Sequence, residues 1–470
     1  MKIIRDRKFY RKVARIAIPI TAQSVISIGI NMMDTIMLGR LGETDLSASS
    51  LANQFIGLFI IMCFGVGMGA SVLTARYWGR RDLRSLRKST TLMYYFCIAI
   101  ATVFAAVTIL MPEQIMRIYT SDQIVIAKGV QYLRWSVVTY WLTAMTVSTT
   151  LILRSINEVK IPLASTTAAF FINIGANYVF IFGKLGMPRM EVAGAALGTL
   201  ISRIAEFAVI CGYFFLRDRK VSFRIRDMLM PCGDMRREYL RISFPVLVSD
   251  TILGLGSNVV AVIMGHISTG FVTATAIVSV VMQISSVFLY GVSQASCIEI
   301  GHTLGEGRQD LAQEQGETFL LIGLAIGLSA SMVIALISGR IIDYYRISDE
   351  TRVIAEELMR AVGIMVVFQA TNGVLTKGVM RGGGDTRFLM VADILFLWVV
   401  SIPLGAAAGL IWHLSPFWVY ICLQIDQIIK SFWCIGRLAS REWITAINPA
   451  EPAGIQDGSS LNSMDDGLGF

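Results

Sequence analysis

RIAIPITAQSVISIGINMMDTIMLGRLG, residues 15–42, decides how the chain is read. The run is apolar for long enough to cross a bilayer, whose hydrocarbon core of about 30 Å takes about 20 helical residues. It nevertheless carries Pro19, Gln23, Ser27, Asn31 and Asp34. Steps of four, four and three set Gln23, Ser27, Asn31 and Asp34 along one stripe of a helix, because residues three and four apart share a face. A carboxylate facing lipid costs about 2.5 kcal/mol or more, so an acid kept inside a span faces a partner or a water-filled cavity. The alternative is a solvated helix end near the outer interface, although the apolar run continues from Thr35 to Leu38. Pro19 removes a backbone hydrogen bond in the inner half of the same span, which predicts a bend or weakened turn, either a hinge or a tolerated kink.

The surrounding chain has the same character. Of 470 residues, 54% are hydrophobic and 16% charged, with a mean hydropathy of +0.63, too apolar for an ordinary soluble enzyme. Windows of spanning length fall at 13–38, 46–76, 89–112, 125–153, 161–183, 191–216, 238–263, 272–303, 312–338, 352–380, 388–411 and 415–438. The chain reads as an all-α, multi-pass membrane protein of twelve transmembrane helices in contact with the lipid bilayer. The formal net charge of +8 could point to nucleic acid, but Lys and Arg gather in alternate loops, including 2–12, 76–88 and 217–241. By the positive-inside rule those loops and both termini are cytoplasmic, and no nucleic-acid partner is expected. The first span is too long for a signal peptide, holds Asp34 and lacks a clean small-residue cleavage site. Seven cysteines, mostly within spans, and three histidines indicate neither a disulfide frame nor a metal centre. No Ser/His, paired-Asp or metal-ligand constellation lies within the spans, so no enzyme is indicated.

The chain is written twice. Moving residues 11–82 by 226 positions lays them on 237–308, pairing Pro19 with Pro245, Gly39 with Gly265, Gly65 with Gly291 and Gly79 with Gly305. Pro and Gly mark kinks and close approaches whose positions in a helical scaffold are not interchangeable. LRSINEVK (153–160) and MRGGGDTR (380–387) agree at an offset of 227. Six spans per copy keep both copies in one orientation, so the repeats are parallel, related by an axis along the membrane normal, with substrate sites between or within the halves. The expected organisation is a cytoplasmic N-terminus (1–12), a six-helix lobe (13–217), a cytoplasmic linker (218–236), a second six-helix lobe (237–440) and a disordered cytoplasmic tail (441–470).

Asn173 and Asn177 lie at i, i+4 on one face of span 5. At 1.5 Å per residue from Ile161 they stand about 18 and 24 Å up, in the outer half beside Asp34, with Thr199 and Ser202 at a similar level. One carboxylate, two amides and hydroxyls would coordinate a small hard cation, or hydrogen-bond Asp34 according to its charge; the plainer alternative is that the asparagines tie helices together. Their second-copy equivalents are Val260, Val400 and Leu404, so the halves are built alike but differ chemically. GVGMGAS (65–71) reads as helix packing. Tyr140 and Trp141 line either a cavity or a helix interface. Gln283, Phe288, Tyr290, Phe368, Gln369 and Asn372, near mid-membrane, line a substrate cavity or are ordinary packing. Asp393 either snorkels to the inner face or attracts cationic cargo, and Arg203 and Glu206, at i, i+3, neutralise one another.

A duplicated twelve-helix chain with a Pro-to-Asp first span, NIGANYVFIFG (173–183) and an LRGxGDT-like turn, here MRGGGDT, resembles the multidrug and toxic compound extrusion (MATE) family, with its NorM-like and DinF-like bacterial members. The resemblance covers the chain to about residue 440. It implies a V-shaped pair of lobes, alternating access, and export of small organic compounds, often cationic, in exchange for H+ or Na+. It further implies no cofactor beyond that coupling ion, the bacterial inner membrane and a monomer, and it makes Tyr140 a member of the coupling site. DinF-like members carry an acid where Asn177 stands, and NorM-like members carry acids in spans 7 and 10, where Asn372 stands instead; a second-lobe sodium site is therefore doubtful. The alternative function is a flippase for lipid-linked or polysaccharide precursors. That role calls for a charged groove, and few basic residues, Arg134, Arg203 and Arg360, lie inside the spans.

Overall fold

Pro19 does not break the helix that opens the fold. In the computed structural model, which describes residues 3–344 and 347–445, α1 (Arg7–Gly39) runs as one α-helix through it. The apolar runs that follow form α2 (Glu43–Gly79), α3 (Leu83–Leu110), the short α4 (Pro112–Tyr119), α5 (Gln123–Ser155), α6 (Lys160–Phe182) and α7 (Glu191–Gly212). The second copy gives α8 (Gly233–Ile267), α9 (Thr269–Gly305), α10 (Gln309–Tyr344), α11 (Asp349–Val374), α12 (Thr386–Asp393), α13 (Ile402–Ala406), α14 (Pro416–Leu423) and α15 (Ile425–Ala439). Among the described residues no β-strand forms, only a lone bridge between Gly384 and Ile444.

Among the described residues, ten helices are long and apolar enough to cross a membrane. The other two expected spans are α11, diluted by Glu356, Glu357 and Arg360, and the pair α14 and α15, which part at Gln424. In hydrocarbon every backbone group must be satisfied within the helix, so caps belong at the ends. Asp6 accepts the amide of Lys8 (2.8 Å), Asp82 that of Ser85 (3.0 Å), Asp122 that of Ile124 (2.8 Å) and Ser268 that of Phe271 (3.0 Å). Residues 407–411 and 394–401 wind as π-helical turns around α13, and 375–380 do the same after α11.

Several expected boundaries move. The first helix begins at Arg7 rather than at residue 13, because Asp6 caps it. The linker at 218–236 is packed: Val221 and Phe223 are buried, Phe223 stacks on Phe214 (5.6 Å), and Arg87 holds the Val221 carbonyl (2.7 Å). The segment assigned to the tail stays on the bundle as far as Thr445, since the Trp443 ring is buried and its Nε1 donates to Gln313 Oε1 (2.8 Å). Residues 446–470 of that tail lie outside the described residues.

The lobes, α1–α7 and α8–α15, meet as the repeat dictates: α2 crosses onto α8, and its second-copy equivalent α9 crosses onto α1. Gly65 and Gly69 of GVGMGAS are at this contact, while Gly67 faces Leu151 and Met93 within the first lobe. A Cβ on Gly65 would lie 2.8 Å from Leu247 Cα, and Gly69 meets Ser243 in the same way one turn later. Such approaches let backbones pack where side chains would hold them apart. Further toward the basic-loop end, Gly79 and Gly305 each face the other helix's carbonyl, at His302 and Arg76. Polar contacts reinforce that end: Lys12 pairs with Glu299 (2.7 Å), and His302 Nε2 lies 2.6 Å from the Ser155 carbonyl. Arg76 Nη1 from α2 donates to the Thr445 carbonyl (2.8 Å) at the far end of the second lobe.

Candidate functional site

Asp34 and the two asparagines of α6 come together as their depths imply. Asn177 Nδ2 donates to Asp34 Oδ1 (2.5 Å) and is 3.2 Å from Asn173 Oδ1, and both asparagines are fully buried. The fit depends on Gly198 of α7, whose missing side chain leaves room for the Asn177 amide; a Cβ there would lie 3.1 Å from Asn177 Cγ. Three buried polar atoms of the group have no partner among the described residues: Asn173 Nδ2, Asn177 Oδ1 and Thr199 Oγ1. An unmet buried polar atom costs about 1–3 kcal/mol. Two unmet oxygens beside a carboxylate suit a small hard cation or a proton-linked change of hydrogen bonding. Ser202 instead turns back to the Thr199 carbonyl (2.8 Å).

Tyr140 is not part of this group. Its ring is buried against Phe59 (4.9 Å) and Phe104, and its hydroxyl pairs with Thr108 (3.1 Å), in the core between α2, α3 and α5. The tyrosine beside the site is Tyr132, two turns outward on α5, which packs in one cluster with Met37 of α1, Ile181 of α6 and Ala195 of α7 and whose hydroxyl donates to Asn53 Oδ1 (3.3 Å). Asn31, on the stripe with Asp34, is exposed.

From this site a polar chain descends through the first lobe. Arg203, one turn beyond Thr199 on α7, donates to Glu206 (2.7 Å), so the expected pair forms. Thr166 donates to the other Glu206 oxygen (3.2 Å), and Gln23 Nε2 donates to Thr166 (2.9 Å). The Gln23 carbonyl accepts Arg154 Nη2 (2.7 Å), and Arg154 Nη1 reaches the Tyr290 hydroxyl of the second lobe (3.3 Å). The chain thus links the Asp34 neighbourhood to the contact between the lobes. Arg154 and Tyr132 were not recognisable from local sequence, because nothing in either span shows which helix each one faces.

The residues expected to line a substrate cavity scatter. Gln283 is exposed; Phe368 and Gln369 are half-buried, with the Phe368 ring beside Phe432 (6.3 Å). Tyr290 belongs to the inter-lobe contact. Asn372 and Asp393 are buried inside the second lobe, Asn372 bonded to Gln427 (2.6 Å) and Asp393 to Lys430 (3.1 Å), so Asp393 neither snorkels nor faces cargo. Val260, equivalent to Asp34, is buried in an apolar cluster with Ile263, Met264 and Val278.

Comparisons with known proteins agree with this architecture. The MatE family profile matches residues 19–179 and again 245–407, two stretches whose starts are the paired Pro19 and Pro245. A probable multidrug resistance protein NorM from Thermotoga maritima is 22% identical over 92% of this chain and 93% of its own length. Among solved structures, a MATE in the straight conformation superposes with a TM-score of 0.82 at 18% identity, covering 92% of this chain and 96% of that one. An outward-facing multidrug resistance MATE transporter of the MOP superfamily gives 0.81, also at 18% identity, with the same coverage. Two lobes built on one repeat, with the family match falling on both copies, identify the chain as a member of the MATE family of multidrug efflux transporters.

Proposed function

We propose that the chain is a secondary antiporter of the bacterial inner membrane that exports organic, often cationic, compounds in exchange for H+ or Na+. The observation that carries the reading is the group of half-buried Asp34 and Thr199 with fully buried Asn173 and Asn177 on one lobe, with unmet polar atoms beside a single carboxylate. Closely packed glycines join the lobes toward the basic-loop end, which corresponds to a state closed to the cytoplasm. Alternating access then consists of breaking that contact and forming its counterpart at the other end, with the occupancy of Asp34 biasing the choice. Pro19, on the helix that carries Asp34 and touches both lobes, is the natural hinge. The flippase alternative finds little support, since Arg203 is paired with Glu206 and Arg381 with Asp250 (2.8 Å).

The test is dye efflux from proteoliposomes under an imposed pH gradient and, separately, an imposed Na+ gradient. The wild-type chain is expected to respond to at least one of them, and Asp34→Asn to neither while remaining folded in the membrane. Gradient-driven efflux by Asp34→Asn at the wild-type rate refutes the assignment.

A further inference from the structure

The second lobe buries a charge cluster that takes no part in the site around Asp34. Lys430 of α15 is 2% exposed, with its Nζ 2.8 Å from Asp426 Oδ2 and 3.1 Å from Asp393 Oδ1. Asp426 also accepts the Ser401 hydroxyl (3.1 Å) and Gln427 Nε2 (2.9 Å), and Asp393 accepts the Ser249 hydroxyl. Asn372 of α11 donates to Gln427 (2.6 Å) and leaves its own carbonyl oxygen buried with no donor among the described residues. The other charged groups nearby are Asp250 of α8 and Arg381, which pair with each other at 2.8 Å. With that pair cancelled, one ammonium meets two carboxylates.

Two carboxylates, two hydroxyls and two amides, drawn from α8, α11, α12, α15 and the π-helical turn at 394–401, make the kind of oxygen-rich surround that holds a hard cation. An ammonium is buried in it because the carboxylates offset its lost hydration; an emptied surround would leave two like charges facing each other out of water, which is strongly unfavourable. A cation carried on a side chain is present at a fixed, high effective concentration and does not dissociate into solution.

We propose that the Lys430 ammonium permanently fills a monovalent-cation site in the second lobe, so that this lobe is loaded without an ion from solution and ion exchange is confined to the first lobe. Asn372 then has no need to be an acid, because the charge balance of the lobe is met from within.

The test does not depend on transport, so its failure is separable from that of the antiporter reading. Lys430→Ala deletes the side chain from Cγ to Nζ, the heavy atoms of n-propylammonium. Thermal unfolding of the purified full chain in detergent is followed with added n-propylammonium chloride, 1-propanol, NaCl or choline chloride, with the salts matched in ionic strength. The melting temperature of Lys430→Ala is expected to fall by several degrees, to recover with propylammonium in a saturating manner, to recover in part with Na+, and not to respond to propanol or choline. The wild-type chain is expected not to respond to propylammonium, propanol or choline, and any response it shows to NaCl belongs to the site around Asp34 and is the baseline above which Lys430→Ala is read. Equal recovery with propanol and propylammonium would mean that only packing was restored, and no recovery with any cation would mean that the surround binds none; either result overturns the proposal. If Lys430→Ala does not accumulate, Lys430→Ala/Asp426→Asn removes one charge of each sign and keeps Asp393. Propylammonium is expected to stabilise that double variant at higher concentrations, and its indifference to propylammonium overturns the proposal equally.

Discussion

Tyr290→Phe isolates one bond of the contact that closes the basic-loop end. The ring remains, and with it the placement of the Arg154 guanidinium 6.0 Å from the ring centroid; only the hydroxyl that accepts from Arg154 Nη1 at 3.3 Å is lost. Arg154 keeps its shorter bond to Gln23 (2.7 Å), so the guanidinium is not stranded. A hydrogen bond to a charged group is worth about 1.5–3 kcal/mol, and the long, partly buried geometry argues for the lower end or just below it, about 1 kcal/mol. In the proposed alternating-access cycle the bond exists only while the lobes touch here, so its loss is expected to move the conformational equilibrium rather than the fold. The population open at this end is expected to rise about fivefold. Ser243→Cys reports that population, since Ser243 is buried against Gly69 in the same contact. In a background without the seven native cysteines, a maleimide should label Cys at 243 about five times faster when Tyr290→Phe is present, provided labelling is slow relative to opening. Equal rates, with melting temperatures unchanged, would refute the view that the Arg154–Tyr290 bond belongs to a gate.

Two further outcomes are expected. Single cysteines at Asn157 and Gly384, in the matching turns of the two copies, should resist an impermeant thiol reagent applied outside intact cells; ready labelling from outside inverts the topology. Trp443→Ala removes a fully buried ring and its bond to Gln313, and should lower stability by about 3–5 kcal/mol, read as a large drop in melting temperature; a wild-type melting curve would mean that residues 441–445 are not part of the folded bundle.

The depth of a residue along a span is a local property, which is why Asp34, Asn173 and Asn177 are recognisable together before any helix is packed: the asparagines are counted from the inner end of their span at about 1.5 Å per residue, and Asp34 lies in the outer half beyond Pro19. The duplication was legible for a related reason, since Pro19 with Pro245 and Gly65 with Gly291 mark backbone requirements that survive after most side chains have diverged. The direction a residue faces is another matter. Tyr140 and Tyr132 lie on the same helix, but the eight residues between them rise about 12 Å and turn the helix about 80° beyond two full turns, enough to send one ring into the Phe59–Phe104 core and leave the other packed near Asp34.

Composition and spacing by themselves determined that this is a membrane bundle, that it is written twice in one orientation, and which acid of its first lobe lies level with the two asparagines. Hydrophobic length, loop charge and glycine register are set by neighbours along the chain, so the linear order contains them. Which charge meets which was decided only by the tertiary structure. Asp393 and Lys430 are 37 residues apart, and Arg154 and Tyr290 are 136 apart on different lobes. Electrostatic partnership is a matter of a few ångströms between helices whose rotation about their axes is fixed by packing, in the second lobe by the many small residues and π-helical turns that let α8, α11, α12 and α15 close around one ammonium.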